Sequence, residues 1–203
     1  MAEQTHYDDQ DWSIHSITDT AALILYRDET AYVLGATRDT FSVRALDGAT
    51  VAEDASVCHV AAQRSLTTTV TAAGQTTRLN AVFEGRCVSL KYFRDNELLL
   101  DDDASILTGY SAPARAIATD RALAGTAPRL LRLTDKVRTD AFFREQVLNE
   151  INQFADPGGG FGPIDYCKWV CKQCWHGMYL PHSCLACIFC NGFQAVPPNG
   201  GID

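Results

Sequence analysis

The distribution of cysteine is the feature that most constrains how this chain can fold. Six of its eight cysteines lie in the C-terminal stretch Cys167–Cys190, and only Cys58 and Cys87 lie elsewhere. A segment this short cannot bury enough apolar surface to fold by itself. The pattern therefore predicts that these sulfurs are cross-linked, either to one another or through a metal ion.

Zinc is the first interpretation of the cluster. Cys171 and Cys174 are separated by two residues, as are Cys187 and Cys190, and two such pairs can complete a tetrahedral zinc site. Other thiols and imidazoles in the same stretch leave the ligand set open. The alternative ligands are Cys167, Cys184, His176 and His182. Zinc is the cofactor that this interpretation implies.

Disulfide bonding is the second interpretation, and it requires no cofactor. The connectivity stays open, because six cysteines can be paired in many ways. The residues around them are more apolar than those of a typical zinc knuckle, which predicts that the segment packs on the rest of the chain, on a partner or on a membrane. They are Trp169, Val170, Trp175, Met178, Tyr179, Leu180, Leu185, Ile188, Phe189 and Phe193.

The charge of the chain is negative and unevenly distributed. The net charge is −8, which argues against nucleic acid as a partner because phosphate binding needs a basic face. From Cys167 onward the charged residues are Lys168, Lys172 and Asp203, so the acidic residues are concentrated in the body that precedes them. An Asp-rich, Lys-poor surface stays hydrated in concentrated salt, and a halophilic source is therefore a hypothesis.

Residues 13–110 are predicted to form a β-rich domain, after a polar N-terminal tail in residues 1–12. Phe41, Val43 and Ala45 alternate with polar residues, Asp47-Gly48 and Gly85 predict turns, and similar short runs recur up to Leu100. Short strands with close turns and no intervening helix are typical of an antiparallel meander.

Residues 111–155 are predicted to form a helical segment that packs on this sheet. Apolar residues recur there at steps near three and four, and Thr134 or Thr139 is the predicted cap of one long helix that ends near Ala155. The apolar stripe consists of Val137, Phe143, Val147, Ile151 and Phe154. The predicted fold class is α+β, an antiparallel β meander backed by one long amphipathic helix and followed by a small cysteine-rich module in residues 166–203.

The β-rich region contains no pattern that predicts catalysis, and we expect no enzymatic activity. Cys58 and His59 are adjacent, but neighbours on a strand point to opposite faces and do not meet easily. We therefore interpret them as a buried cysteine beside a surface histidine.

A glycine- and proline-rich linker, residues 156–165, separates the helix from the cysteine-rich tail. Gly158, Gly159 and Gly160 form a candidate cleavage joint. A helix that ends in glycines before a cysteine-rich segment is similar to the leaders of exported bacteriocins, and the whole order resembles halocin-type precursors of haloarchaea. In those precursors an N-terminal protein is followed by a cysteine-rich antimicrobial peptide.

Two functions follow from these interpretations. The resemblance implies a precursor or carrier of a C-terminal bacteriocin-like peptide, with processing or export machinery, or a target membrane, as partners. Residues 1–12 are polar and acidic, so we expect cytoplasmic synthesis without a signal peptide, and export of the tail. The zinc interpretation implies an intracellular protein that binds a protein partner for interaction or regulation.

Overall fold

The structure is a computed structural model. It describes residues 4–18, 21–27, 29–37, 39–105, 127–154, 170–172, 174 and 181–193.

Ten antiparallel strands form one sheet, in which each strand pairs with the next one along the chain. The predicted antiparallel meander is therefore confirmed. A short 3₁₀ turn at Ala61–Gln63 lies between the sixth and seventh strands. The strands are β1 (Gln4–Asp8), β2 (Trp12–Thr18), β3 (Ala21–Tyr26), β4 (Thr30–Ala36), β5 (Thr40–Asp47), β6 (Thr50–Val60), β7 (Ser65–Ala72), β8 (Gln75–Glu84), β9 (Cys87–Arg94) and β10 (Glu97–Ser105).

The turns and the alternation of side chains follow the sequence pattern. Gly48 connects β5 to β6 and Gly85 connects β8 to β9, each with a positive φ that suits glycine. In β5 the alternating residues Phe41, Val43 and Ala45 are buried, so one face of the sheet is turned to the core. Strand β1 lies within the stretch that was predicted to be a polar tail.

Helices α1 (Pro128–Thr139), α2 (Ala141–Phe154) and α3 (Pro181–Phe193) follow the sheet, and residues 170–172 and 174 are also helical. The prediction of one long helix is therefore wrong. Asp140 separates α1 from α2 in an extended conformation, with φ −112° and ψ 106°. Its carboxylate accepts a hydrogen bond of 2.9 Å from the backbone N–H of Phe143, which is how an aspartate caps the start of a helix.

Neither threonine that was predicted to cap the helix does so. Thr134 and Thr139 lie within α1, where their hydroxyl groups donate to the carbonyl oxygens of Leu131 and Asp135. Bonds of this kind are common for threonine inside a helix and do not cap its start. The apolar stripe is confirmed as core for Val137, Phe143, Val147 and Ile151.

A buried carboxylate from the sheet holds the start of α1. Glu53 of β6 is 3% exposed, and its two oxygens accept hydrogen bonds from the backbone N–H groups of Arg129 (3.0 Å) and Leu130 (2.8 Å). Tyr32 of β4 donates its hydroxyl to the carbonyl oxygen of Arg129 at 2.9 Å. Because the first N–H groups of a helix lack partners within it, these contacts fix α1 over the middle of the sheet.

Different helices cover different parts of the sheet. Helix α2 contacts strands β1 to β4, whereas α3, which carries the C-terminal cysteines, contacts β6 and β7. Both α1 and α2 also contact α3. The three helices and the buried face of the sheet share one hydrophobic core.

Candidate functional site

Two disulfide bonds join Cys171 and Cys174 to helix α3. They link Cys171 to Cys187 and Cys174 to Cys184, with Cα–Cα distances of 4.6 and 4.7 Å. Cys190 is also disulfide-bonded. Disulfide bonding, one of the two chemistries that the sequence allows, is therefore present.

The spacing of the cysteines explains this pairing. Residues three apart lie on the same face of a helix, and both Cys171/Cys174 and Cys184/Cys187 have that spacing. Residues 170–172 and 174 are helical, like α3. Since the earlier cysteine of one pair bonds the later cysteine of the other, the two helical pieces run antiparallel and are stapled face to face.

The disulfides occupy the sulfurs that the zinc interpretation needs. Cys171, Cys174, Cys187 and Cys190 are the predicted ligands, and all four are disulfide-bonded, whereas only a thiolate binds zinc. Among the described residues, no group of three or more His, Cys, Asp or Glu side chains is placed to hold a metal ion. Cys167 and His176 lie outside the described residues. A zinc site built from these four cysteines would therefore first require reduction of their disulfide bonds.

The apolar face of α3 is buried in the core of the sheet. Leu185 and Cys190 are fully buried, and Ala186 and Ile188 are almost so. They belong to the same hydrophobic cluster as the inward residues of β7 and β8, such as Leu66 and Ala81. The sequence leaves three packing partners open: the rest of the chain, a partner or a membrane. This part of the segment packs on the rest of the chain.

His182, an alternative zinc ligand in the sequence, contacts β8 instead. Its Nε2 lies 3.1 Å from the hydroxyl and 3.4 Å from the carbonyl oxygen of Thr77. Because a carbonyl oxygen can only accept, we assign the proton to Nε2. The ring of Tyr92 lies edge-on to the imidazole, with 5.6 Å between ring centroids.

Burial determines the charge state of His182. Its side chain is 2% exposed, and Nδ1 has no hydrogen-bond partner among the described residues. Burial lowers the pKa of His182 to about 4, although the carbonyl of Thr77 opposes this shift. The imidazole is therefore neutral at neutral pH, and a second proton would be buried without an acceptor.

Sequence reasoning missed Thr77 as a partner of the cysteine segment. Thr77 lies on the inward face of β8 together with Leu79 and Ala81, and it is itself buried. A hydroxyl on an apolar strand face predicts a buried hydrogen-bond partner, and this was the available signal. The identity of that partner, 105 residues away, has no local signature.

The interpretation of Cys58 and His59 is half right. They lie on opposite faces of β6, as expected for neighbours on a strand, but His59 is the buried residue at 6% exposure and Cys58 is half-buried. His59 pairs with Leu66 of β7, and this register turns both side chains to the core. Burial lowers the pKa of His59, and the thiols of Cys58 and Cys87 are free.

The candidate joint Gly158–Gly160 and the rest of the linker lie outside the described residues. None of the helices in the described part is long and apolar enough to span a membrane. Comparisons with protein-family models, with curated proteins and with solved structures found no match for this chain.

Proposed function

We propose that this protein is a precursor in which the sheet and helices α1 and α2 carry the C-terminal cysteine-rich peptide until it is released at Gly158–Gly160. The observation that carries the proposal is the burial of α3, above all Leu185, in the core that the sheet forms. A carrier for an apolar peptide must cover the residues that would otherwise associate with membranes or with one another.

The energetics suit this role. Full burial of a leucine or isoleucine side chain stabilises a protein by about 1.5–3 kcal/mol. Leu185 and Ile188 both contribute this stabilisation when they pack on the sheet, and the contribution is lost on release. The free peptide would therefore expose an apolar face, which favours binding to a lipid surface.

The covalent connections suit release as well. Both described disulfides lie within the cysteine segment, because Cys171 bonds Cys187 and Cys174 bonds Cys184. The two cysteines of the body, Cys58 and Cys87, are free thiols. The segment is thus attached to the body through the backbone and through non-covalent packing. A single cut in the linker would leave a cross-linked peptide that non-covalent packing alone holds on the body.

Mass spectrometry of cells and culture fluid of the producing organism tests this proposal. We expect a secreted peptide that begins at or just after the glycines and has the mass of the fully disulfide-bonded form. Replacing Gly158 and Gly159 by valine should abolish this peptide, whereas the matched change Gly162→Val in the same linker should preserve it. Finding only the intact chain inside cells, with free thiols, would contradict the carrier function. About one equivalent of zinc bound to that chain would favour the interaction or regulatory module instead.

A further inference from the structure

His182 lies in the interface that holds α3 on the sheet. It is the second residue of α3, and its contacts, Thr77 and Tyr92, belong to β8 and β9. The same packing that docks the helix therefore buries the imidazole, which is 2% exposed. Water can reach the ring only when the start of α3 moves away from these strands.

The surroundings of His182 suit a neutral imidazole and disfavour an imidazolium. Nε2 donates toward the carbonyl oxygen of Thr77, and the buried Nδ1 has no hydrogen-bond partner among the described residues. The other side chains around the small cavity beside the ring, such as Leu79 and Val170, are apolar or carry a hydroxyl, and none is charged. A second proton would therefore create a buried charge with an unsatisfied N–H group, which is strongly unfavourable.

No described charge offsets this penalty. Arg94 of β9 lies opposite Thr77 on the same face of the sheet, but a guanidinium has no acceptor for an imidazolium. Other ionisable side chains on the elements that pack against α3 make no described hydrogen bond, ion pair or ring contact with His182. They include the buried Glu53, His59 and Glu150, and also Arg138 and Arg144, which lie beside Cys184 and Cys187.

Undocking of α3 requires no break in the sheet and no change in a described disulfide bond. The strands are hydrogen-bonded to one another in chain order, and Glu53 holds the start of α1. The described disulfides connect α3 to Cys171 and Cys174, so these cysteines can move with the helix as one cross-linked unit. A local opening of α3 is therefore available at a lower free energy than unfolding of the whole chain.

We propose that the docking of α3 is sensitive to pH, and that protonation of His182 releases α3 and its linked cysteines from the sheet while the strands remain paired. The imidazole takes up one proton from solvent in the open state, and no covalent bond changes. Burial holds the pKa of His182 at about 4 in the docked state, against a value near 6.5 for an exposed histidine. Docking is therefore fully favoured above about pH 6.5 and is weakened progressively as the pH falls toward 4.

This device goes beyond the carrier function and does not depend on it, since opening needs neither cleavage nor export. In a precursor it would make detachment of the cysteine segment sensitive to pH. In an uncleaved protein it would expose and cover the apolar face of α3 reversibly.

Amide hydrogen exchange of the intact full-length chain, read by mass spectrometry at pH 8 and pH 5, tests the proposal. After each rate is divided by the intrinsic rate at that pH, we expect the protection of α3 to be about thirtyfold lower at pH 5, as the two pKa values require. Protection of α3 that is the same at both pH values would overturn the proposal.

Low concentrations of urea distinguish local undocking from global unfolding. Undocking exposes less surface, so the amides of α3 should exchange faster than those of β3 to β5 and depend less on urea. Equal protection and equal urea dependence in α3 and the sheet would show that only global unfolding hydrates His182, and this would also overturn the proposal. The comparison is made within the wild-type protein, so it does not require a variant that docks well.

His182→Gln tests whether His182 is the group that binds the proton. Glutamine does not titrate, so the protection of α3 in this variant should change by less than about threefold between pH 8 and pH 5. His15→Gln is the matched control, because His15 is half-buried on β2 and alternates with the inward-facing Ile14. It should keep the thirtyfold change. A thirtyfold change that persists in His182→Gln would assign the proton to another group and contradict the proposal.

Discussion

The imidazole of His182 and the hydroxyl of Thr77 lie 3.1 Å apart in the core, although 105 residues separate them in the chain. This contact joins the first turn of α3 to the inward face of β8. It is a polar contact within a largely apolar interface. It therefore fixes the position of the cysteine segment on the sheet more specifically than apolar packing can.

Removing the hydroxyl should weaken the docking of α3. We expect Thr77→Val to lower the free energy of unfolding by about 1–2 kcal/mol, since His182 keeps only the longer contact to the carbonyl of residue 77 and the carbonyl oxygen of Val70 loses the hydroxyl that donates to it. Thr69→Val is the matched control, because Thr69 is half-buried on the outward face of β7. Urea denaturation followed by circular dichroism measures both variants. Equal effects in the two would mean that the contact adds nothing to stability.

Stability should fall on mild acidification because of His182. Burial holds its pKa at about 4 in the folded state, below the value near 6.5 of an unfolded histidine. The unfolded chain therefore binds more protons between these values, so the stabilising contribution is complete above about pH 6.5 and is lost as the pH falls toward 4. From about pH 8 to about pH 5 we expect His182 to account for a loss of about 2 kcal/mol.

His182→Gln isolates this contribution. Glutamine keeps an N–H donor for Thr77 but does not titrate. From about pH 8 to about pH 5 the unfolding free energy of the variant should therefore fall by about 2 kcal/mol less than that of the wild type. His59, whose pKa burial also lowers, contributes in the same direction and remains present in both proteins. Parallel curves of unfolding free energy against pH for the two proteins would contradict a buried neutral imidazole at position 182.

The carboxylate of Glu53 should contribute to stability through the start of α1. It accepts two backbone hydrogen bonds, from Arg129 and Leu130, and a buried charge-assisted pair of this kind is costly to lose. We expect Glu53→Gln to reduce the free energy of unfolding by about 1–3 kcal/mol. Asp54→Asn removes a neighbouring carboxylate that is exposed, and its effect should stay within about 0.5 kcal/mol. Thermal unfolding compares the two, and equal shifts would show that Glu53 does not cap the helix.

The break between α1 and α2 can be tested at its cap. Asp140 caps α2 and accepts a bond of 2.7 Å from Lys136, which together with the N–H of Phe143 lowers the pKa of its carboxyl. We expect Asp140→Ala to cost about 1–2 kcal/mol and Asp140→Asn less, since asparagine also caps helices. Thr139→Ala, at the cap that the sequence predicts, should cost less than about 0.5 kcal/mol. A larger loss for Thr139→Ala than for Asp140→Ala in urea denaturation would contradict the observed break.

The meander could be predicted because its signals are local. Phe41, Val43 and Ala45 alternate within one strand, and Gly48 and Gly85 mark turns that need a positive φ. The helix break was missed for a different reason. The apolar stripe steps by six residues from Val137 to Phe143, which breaks the 3.6-residue period around Asp140, and this change of phase was the signal that was overlooked.

The candidate site could be predicted in composition but not in arrangement. The sequence identifies the cross-linked segment, but it does not decide between metal and disulfides, because the same spacing of two residues serves both. The burial of His59 depends on the register of β6 against β7, and a shift of one residue reverses which side chain faces the core. The partner of His182 depends on how α3 docks, which is a tertiary property with no sequence period.

The central claim is that the cysteine segment is held on the sheet by packing and not by a covalent bond other than the backbone. The most direct test is to insert a protease recognition site at Gly159, to cut the folded full-length chain there, and to analyse the products by size-exclusion chromatography without reductant. We predict that the two pieces co-elute in native buffer and separate in denaturant, with the C-terminal piece still internally disulfide-bonded. Separation in native buffer immediately after cutting, or failure to separate in denaturant, would contradict the account.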